Sequence, residues 1–101
     1  MPDQQVAAPA ADQDVVAGAA GELGAEFLHH DVTSEDDWAK VVADVKARYG
    51  RIDVLVNNAG ILHASRLVNY KTADWDRVIA INQTGVFFGM RAVAPIMIEQ
   101  G

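Results

Sequence analysis

Three places in the chain hold residue types able to bind or do chemistry. Asp31 stands in "HHDVT". Asn57, Asn58, Ala59 and Gly60 end the run "DVLVNNAG". Asn82 stands in "INQTGVF". A carboxylate accepts hydrogen bonds, and each side-chain amide both donates and accepts. A glycine lets a ligand approach the main chain closely. Together these groups suit the recognition of a polar ligand with both donors and acceptors. Each has a plainer reading as well. "NNAG" is also a run of ordinary turn formers. Asn82 also suits a cap at a helix kink.

The elements that must position these groups can be read from pattern. "AEFLHHDV" (25–32) predicts a short strand ending near Asp31. "TSEDDWAKVVADVKARYG" predicts a helix capped by Ser34 or Thr33, with Glu35, Asp36 and Asp37 at the positive end of its dipole. Its stripe is Trp38, Val41, Val42 and Val45, and Gly50 ends it. "IDVLV" (52–56) is continuously apolar, as in a strand covered on both faces. "DVVAGAAGELG" (14–24) predicts a short helix closed by Gly24. Residues 72–100 predict a helix with the stripe Trp75, Val78, Ile79, Asn82, Val86, Phe87, Met90 and Val93. A kink is expected near "NQTG", with Pro95 disturbing the last turns. Residues 1–13 read as a loose lead-in, and 14–101 as one partial domain. Alternating strands and helices make the class α/β. Both strand ends, Asp31 and "NNAG", then sit where open α/β sheets bind ligands.

Composition narrows the function. The chain has 101 residues and a formal charge of -6. Residues 1–50 carry -7 and residues 51–101 carry +1. An acidic chain without a basic patch disfavours nucleic acid and anionic membrane as partners. There is no cysteine, the start does not read as a secretory signal, and no stretch approaches the roughly 20 apolar residues of a membrane helix. A cytoplasmic setting is expected. His29 and His30 are adjacent on a strand and point to opposite faces, so no metal site is expected.

"HHDVTSEDDW", "RIDVLVNNAGIL" and "DWDRVIAINQTGVFFGMRAVAPIM", in that order and spacing, resemble the middle of the short-chain dehydrogenase/reductase family. The resemblance runs from about residue 14 to the end. It implies an incomplete Rossmann-type, doubly wound fragment with two parallel strands and two to three helices. It implies hydride transfer between NAD or NADP and a small-molecule carbonyl or secondary alcohol. Asp31 resembles the aspartate that meets the adenine amino group, and Val32 its main-chain partner. Asn57, Asn58, Ala59 and Gly60 resemble the segment against the adenosine ribose. Asn82 resembles the catalytic asparagine, whose main chain holds a water in the proton relay.

Other parts of the family pattern have no counterpart here. No Tyr-x-x-x-Lys is present: Asp53 follows Tyr49 by four, and Asp74 follows Tyr70 by four. "VVAGAAGELGA" imitates the family's phosphate loop, but Ala17 and Glu22 stand where threonine and glycine belong. The chain by itself is therefore expected to be inactive. In the strand order 3-2-1-4-5-6, strands 3 and 4 are not neighbours. The strands at 26–31 and 52–56 must then pair abnormally or leave edges unsatisfied. Two readings of another kind stand beside the enzyme. One is a binding module, a homo-oligomer or a partner of a full-length relative docking through 72–100. The other is a gene fragment without function.

Overall fold

The computed structural model describes residues 5–8 and 13–101. Two parallel strands, β1 (Gln5–Ala8) and β2 (Glu26–His29), form the sheet, with Gln5 opposite Glu26 and Ala8 opposite His29. Helix α1 (Gln13–Leu23) makes the crossover and packs on both strands. It ends at Gly24, whose φ of 71° is the left-handed conformation that a helix stop favours in glycine.

β1 lies inside the stretch expected to be a loose lead-in, and that expectation is corrected for Gln5–Ala8. Gln13, its last residue, is the first residue of α1, and the rest of the lead-in, 1–4 and 9–12, lies outside the described residues. The local signal for β1 is faint. Ala8 precedes a proline, which biases it toward extended backbone, but pairing with β2 is what makes the segment a strand.

Helix α2 (Glu35–Tyr49) begins as its sequence predicts. The Ser34 hydroxyl accepts a hydrogen bond from the Asp37 N–H at 3.1 Å, and three acids fill the first turn. Gly50, at φ 74°, closes the helix by donating its N–H to the Lys46 carbonyl. Arg48 pairs with Glu26, tying the end of α2 to β2. Trp38 is buried, and Val41, Val42 and Val45 are half-buried on the same face.

The segment "IDVLV" is not a strand, which corrects a second expectation. Residues 51–66 form no ladder, and Val54 and Val56 are 76% and 75% exposed. The two parallel strands of the fragment are therefore 5–8 and 26–29, not 26–31 and 52–56. The reason is the missing neighbour. An apolar run becomes a strand only when another strand bonds its main chain, and no strand among the described residues does so here.

A short 3-10 turn (Leu67–Asn69) leads to α3 (Thr72–Ile79), a π-turn (Ala80–Thr84) and α4 (Gly85–Gln100). The π-turn lies at the expected kink, and the Gly85 N–H reaches the Ala80 carbonyl five residues back. That widened turn shifts the buried face. Ile81, Gly85, Gly89 and Val93 are buried, whereas Trp75, Asn82, Phe87 and Met90 are exposed. The stripe predicted at regular helical spacing is corrected accordingly. α4 also runs through Pro95 to Gln100 without a break.

α4 packs against α2. The core between them is Val32, Trp38 and Ile81, joined by Leu55, Ala59, Ile61, Phe88 and Ala92. No helix among the described residues is long and apolar enough to cross a membrane.

Candidate functional site

Asp31 follows β2, in the turn before α2. Its Oδ1 accepts from the Thr33 N–H at 2.9 Å and from the Thr33 hydroxyl at 2.7 Å. These two bonds favour the charged form and hold the carboxyl below the usual carboxylate range. The Asp31 N–H donates to Asp37 Oδ2 at 2.9 Å, so the first turn of α2 also fixes this corner. Asp31 is exposed and ionised, with Oδ2 free of any protein donor among the described residues.

Val32 is buried, and its carbonyl accepts from the Trp38 indole N–H at 2.9 Å. Two helical glycines make this packing feasible. A Cβ on Gly85 would stand 3.0 Å from the Val32 carbonyl oxygen and 3.1 Å from its Cγ2. A Cβ on Gly89 would stand 2.7 Å from the Trp38 ring and 3.2 Å from Asn57 Oδ1. Only hydrogen fits at Gly89, because the indole is pinned by its own hydrogen bond. Val32, Trp38, Gly89 and Asn57 therefore form one continuous contact, which links the first candidate position to the second.

Asn82 is exposed yet fully engaged. Its Oδ1 accepts from the Ile61 N–H, and its Nδ2 donates to the Ile61 carbonyl, both at 2.8 Å. The amide thus stands in for a neighbouring strand at the end of "NNAGI". Gly60 lies beside it: a Cβ there would be 3.5 Å from Asn82 Oδ1, an ordinary contact. The chain's own described atoms therefore leave room for a Cβ at Gly60. Asn58 is exposed, and Ala59 packs on the core. Asp53, at the start of the segment, pairs with Arg51 at 2.6 Å, which holds its carboxyl below the usual range.

Asp31, Val32, Asn57, Asn58, Ala59, Gly60 and Asn82 are thus arranged about one core, although "NNAG" does not end a strand. Gly18, Gly21 and Gly24, the phosphate-loop imitators, lie in α1 or at its end with no protein atom near a built Cβ. Their N–H groups are those of a helix, not of a loop able to cradle an anion. His29, the last residue of β2, is exposed, and His30, just past the strand, is 2% exposed. The His30 ring meets Trp38 edge-on at 4.2 Å.

Two contributions were not singled out from sequence. One is Gly89, four residues beyond Gly85, a spacing that keeps small residues on one helix face. The other is Gln100. Its Oε1 accepts from the Ile52 N–H at 2.8 Å and its Nε2 donates to the Ile52 carbonyl at 2.7 Å. No local signal distinguishes Gln100 from a solvated glutamine.

Comparison with known proteins follows the same lines. The family described as Enoyl-(Acyl carrier protein) reductase matches residues 5–101. A 3-alpha-(or 20-beta)-hydroxysteroid dehydrogenase of Mycobacterium tuberculosis (strain ATCC 25618 / H37Rv) is 42% identical over 76% of this chain and 30% of its own length. The 3-oxoacyl-(acyl-carrier-protein) reductase FabG of Thermotoga maritima is 52% identical over 68% of this chain and 28% of its own. A solved gluconate 5-dehydrogenase from Burkholderia cenocepacia J2315, in complex with NADP and tartrate, superposes with a TM-score of 0.78 at 28% identity. That superposition covers 95% of this chain and 39% of the other. The chain spans less than a third of the length of these two curated relatives. With Asp31, the "NNAG" segment and Asn82 in family order around one α/β core, this chain belongs to the short-chain dehydrogenase/reductase family.

Proposed function

We propose that this chain carries the adenosine half of a nicotinamide dinucleotide site and one relay residue, within an oxidoreductase acting on a carbonyl or secondary alcohol. The observation that carries the reading is the gathering of Asp31, Asn57–Gly60 and Asn82 about the Trp38–Ile81 core. When bound, the nicotinamide supplies or accepts the hydride. The chain's own residues bind and orient. Asp31, ionised and with Oδ2 available, accepts from the adenine amino group. Gly60 keeps its space clear for the ribose, a need its own protein neighbours do not impose. The side chain of Asn82 is committed to Ile61, so Asn82 serves the proton relay through its main chain.

General acid–base chemistry requires a positioned group that exchanges protons with the substrate oxygen. No such tyrosine–lysine pair is encoded here, so the chain alone binds without turnover. Proton–nitrogen correlation NMR with NADH tests this. The expected result is movement of the Asp31 and Asn57–Gly60 signals, with no NADH consumed when a ketone is added. Signals that stay still, or turnover lost in Asn82→Ala, would overturn it.

A second reading is favoured by the apolar surface of α4. Phe87, Met90 and Ile98 are 48%, 50% and 78% exposed. On this reading the helix docks on a second copy or on a full-length relative. Sedimentation of the chain with and without such a relative separates it from the first.

A further inference from the structure

The segment from Ile52 to Ile61 is held like a strand without being one. Among the described residues its main chain joins no ladder. At each end a side-chain amide from the last helix bonds both main-chain groups of one residue. Gln100 takes Ile52, and Asn82 takes Ile61. The two amides run antiparallel to the segment they hold. Nine steps of extended chain, at about 3.3 Å each, reach about 30 Å. Eighteen steps of helix, at about 1.5 Å each, reach about 27 Å. The spans match, so both amides engage only in one register. A slip of one residue moves the segment by about 3.3 Å and turns its faces over.

We propose that Gln100 is a positioning residue. Acting through Ile52, and with Asn82 as the opposite anchor, it sets the register of Ile52–Ile61 along α4. The placement of Asn57–Gly60 follows from that register. This goes beyond the cofactor reading and does not depend on it, because no nucleotide enters the test.

The test is amide hydrogen exchange and NMR of the whole chain carrying Gln100→Ala, Gln100→Glu or, as control, Gln83→Ala at an exposed site. In Gln100→Ala, exchange at Ile52 should rise about tenfold, the loss expected for its hydrogen bonds. The Ile61, Asn57–Gly60 and Asn82 side-chain amide signals should move as well. Gln83→Ala should move none of these. Gln100→Glu supplies a readout that simple loss of packing would not. A carboxylate can accept from the Ile52 N–H but cannot donate to its carbonyl. The protonated acid can do both. The signals of Gln100→Glu should therefore return toward those of the unsubstituted chain as pH falls through about 4.3, both proteins being compared at each pH. If Gln100→Ala loses its folded spectrum, this recovery alone decides. Changes confined to Ile52, or no recovery in Gln100→Glu, would overturn the proposal.

Discussion

Two apolar stretches of this chain met different fates. "EFLH" became strand β2, and "IDVLV" did not become a strand at all. By composition the second is the better candidate. It has three β-branched residues among five, whereas the first has none. The difference lies in their neighbours. β2 has β1 along its edge, an acidic corner closed by Thr33 and Asp37, and an arginine from α2. The segment 52–61 has side-chain amides at its ends and a core face at Leu55, Ala59 and Ile61. The contrast teaches that β-propensity describes how a side chain fits a sheet, while the strand itself is a relation between two main chains.

The largest effect should come from removing what both regions share. Trp38→Ala deletes the indole that bonds Val32 and packs against Gly89, at a cost of about 3–5 kcal/mol. For a domain this small, much of the folded population should be lost, read as a collapse of dispersed NMR signals or of the urea midpoint. Survival with β2 intact and only 52–61 released would show that the regions are independent.

Gly89→Ala comes next. Overpacking against the pinned indole should cost about 1–3 kcal/mol, more than the helix gains from alanine. The clash at Asn57 Oδ1 should move the Asn57 amide signal. Adding Trp38→Phe, which removes the ring atoms in question, should recover part of the loss. A thermal melt of the two variants checks both.

Asn82→Ala addresses the clamped region alone. Two hydrogen bonds at an exposed site should cost about 1–2 kcal/mol. Amide exchange should quicken at Ile61 while the β1–β2 amides keep their protection. Equal loss in both regions would erase the distinction between ladder and clamp.

The smallest effect is a pH slope in the strand region. Burial pushes the His30 imidazole below its ordinary value of 6.5, against the opposing pull of Asp37 and Asp31. The unfolded chain then binds more protons than the folded one just below that value. Stability is complete above 6.5 and declines as pH falls toward the folded value. His30→Phe should flatten that part of the urea-midpoint profile. The Asp31 carboxyl, held down by Thr33, acts in the same direction but only near and below 3.8.

Much of the local structure was legible from residue type. Gly24 and Gly50 adopt the left-handed stop, Ser34 caps α2, and the Val41–Val45 face is inward. The family was legible too, because Asp31, "NNAG" and Asn82 are distinctive in order and spacing. The shifted stripe of the last helix was not. A π-turn inserts one residue without leaving a mark that periodicity can detect, so Asn82 turns toward Ile61 and Ile81 turns inward. β1 was missed because its four residues carry little strand signal of their own.

The sequence by itself therefore determined where helices start and stop, and which residues are candidates for a dinucleotide site. These depend on caps, backbone preferences and short motifs, all acting within a few residues. Tertiary structure alone decided which apolar run is a strand, which face of α4 is buried, and that Gln100 and Asn82 hold the two ends of one segment. Those outcomes depend on main-chain groups finding partners tens of residues away, and no local pattern encodes whether the partner is there.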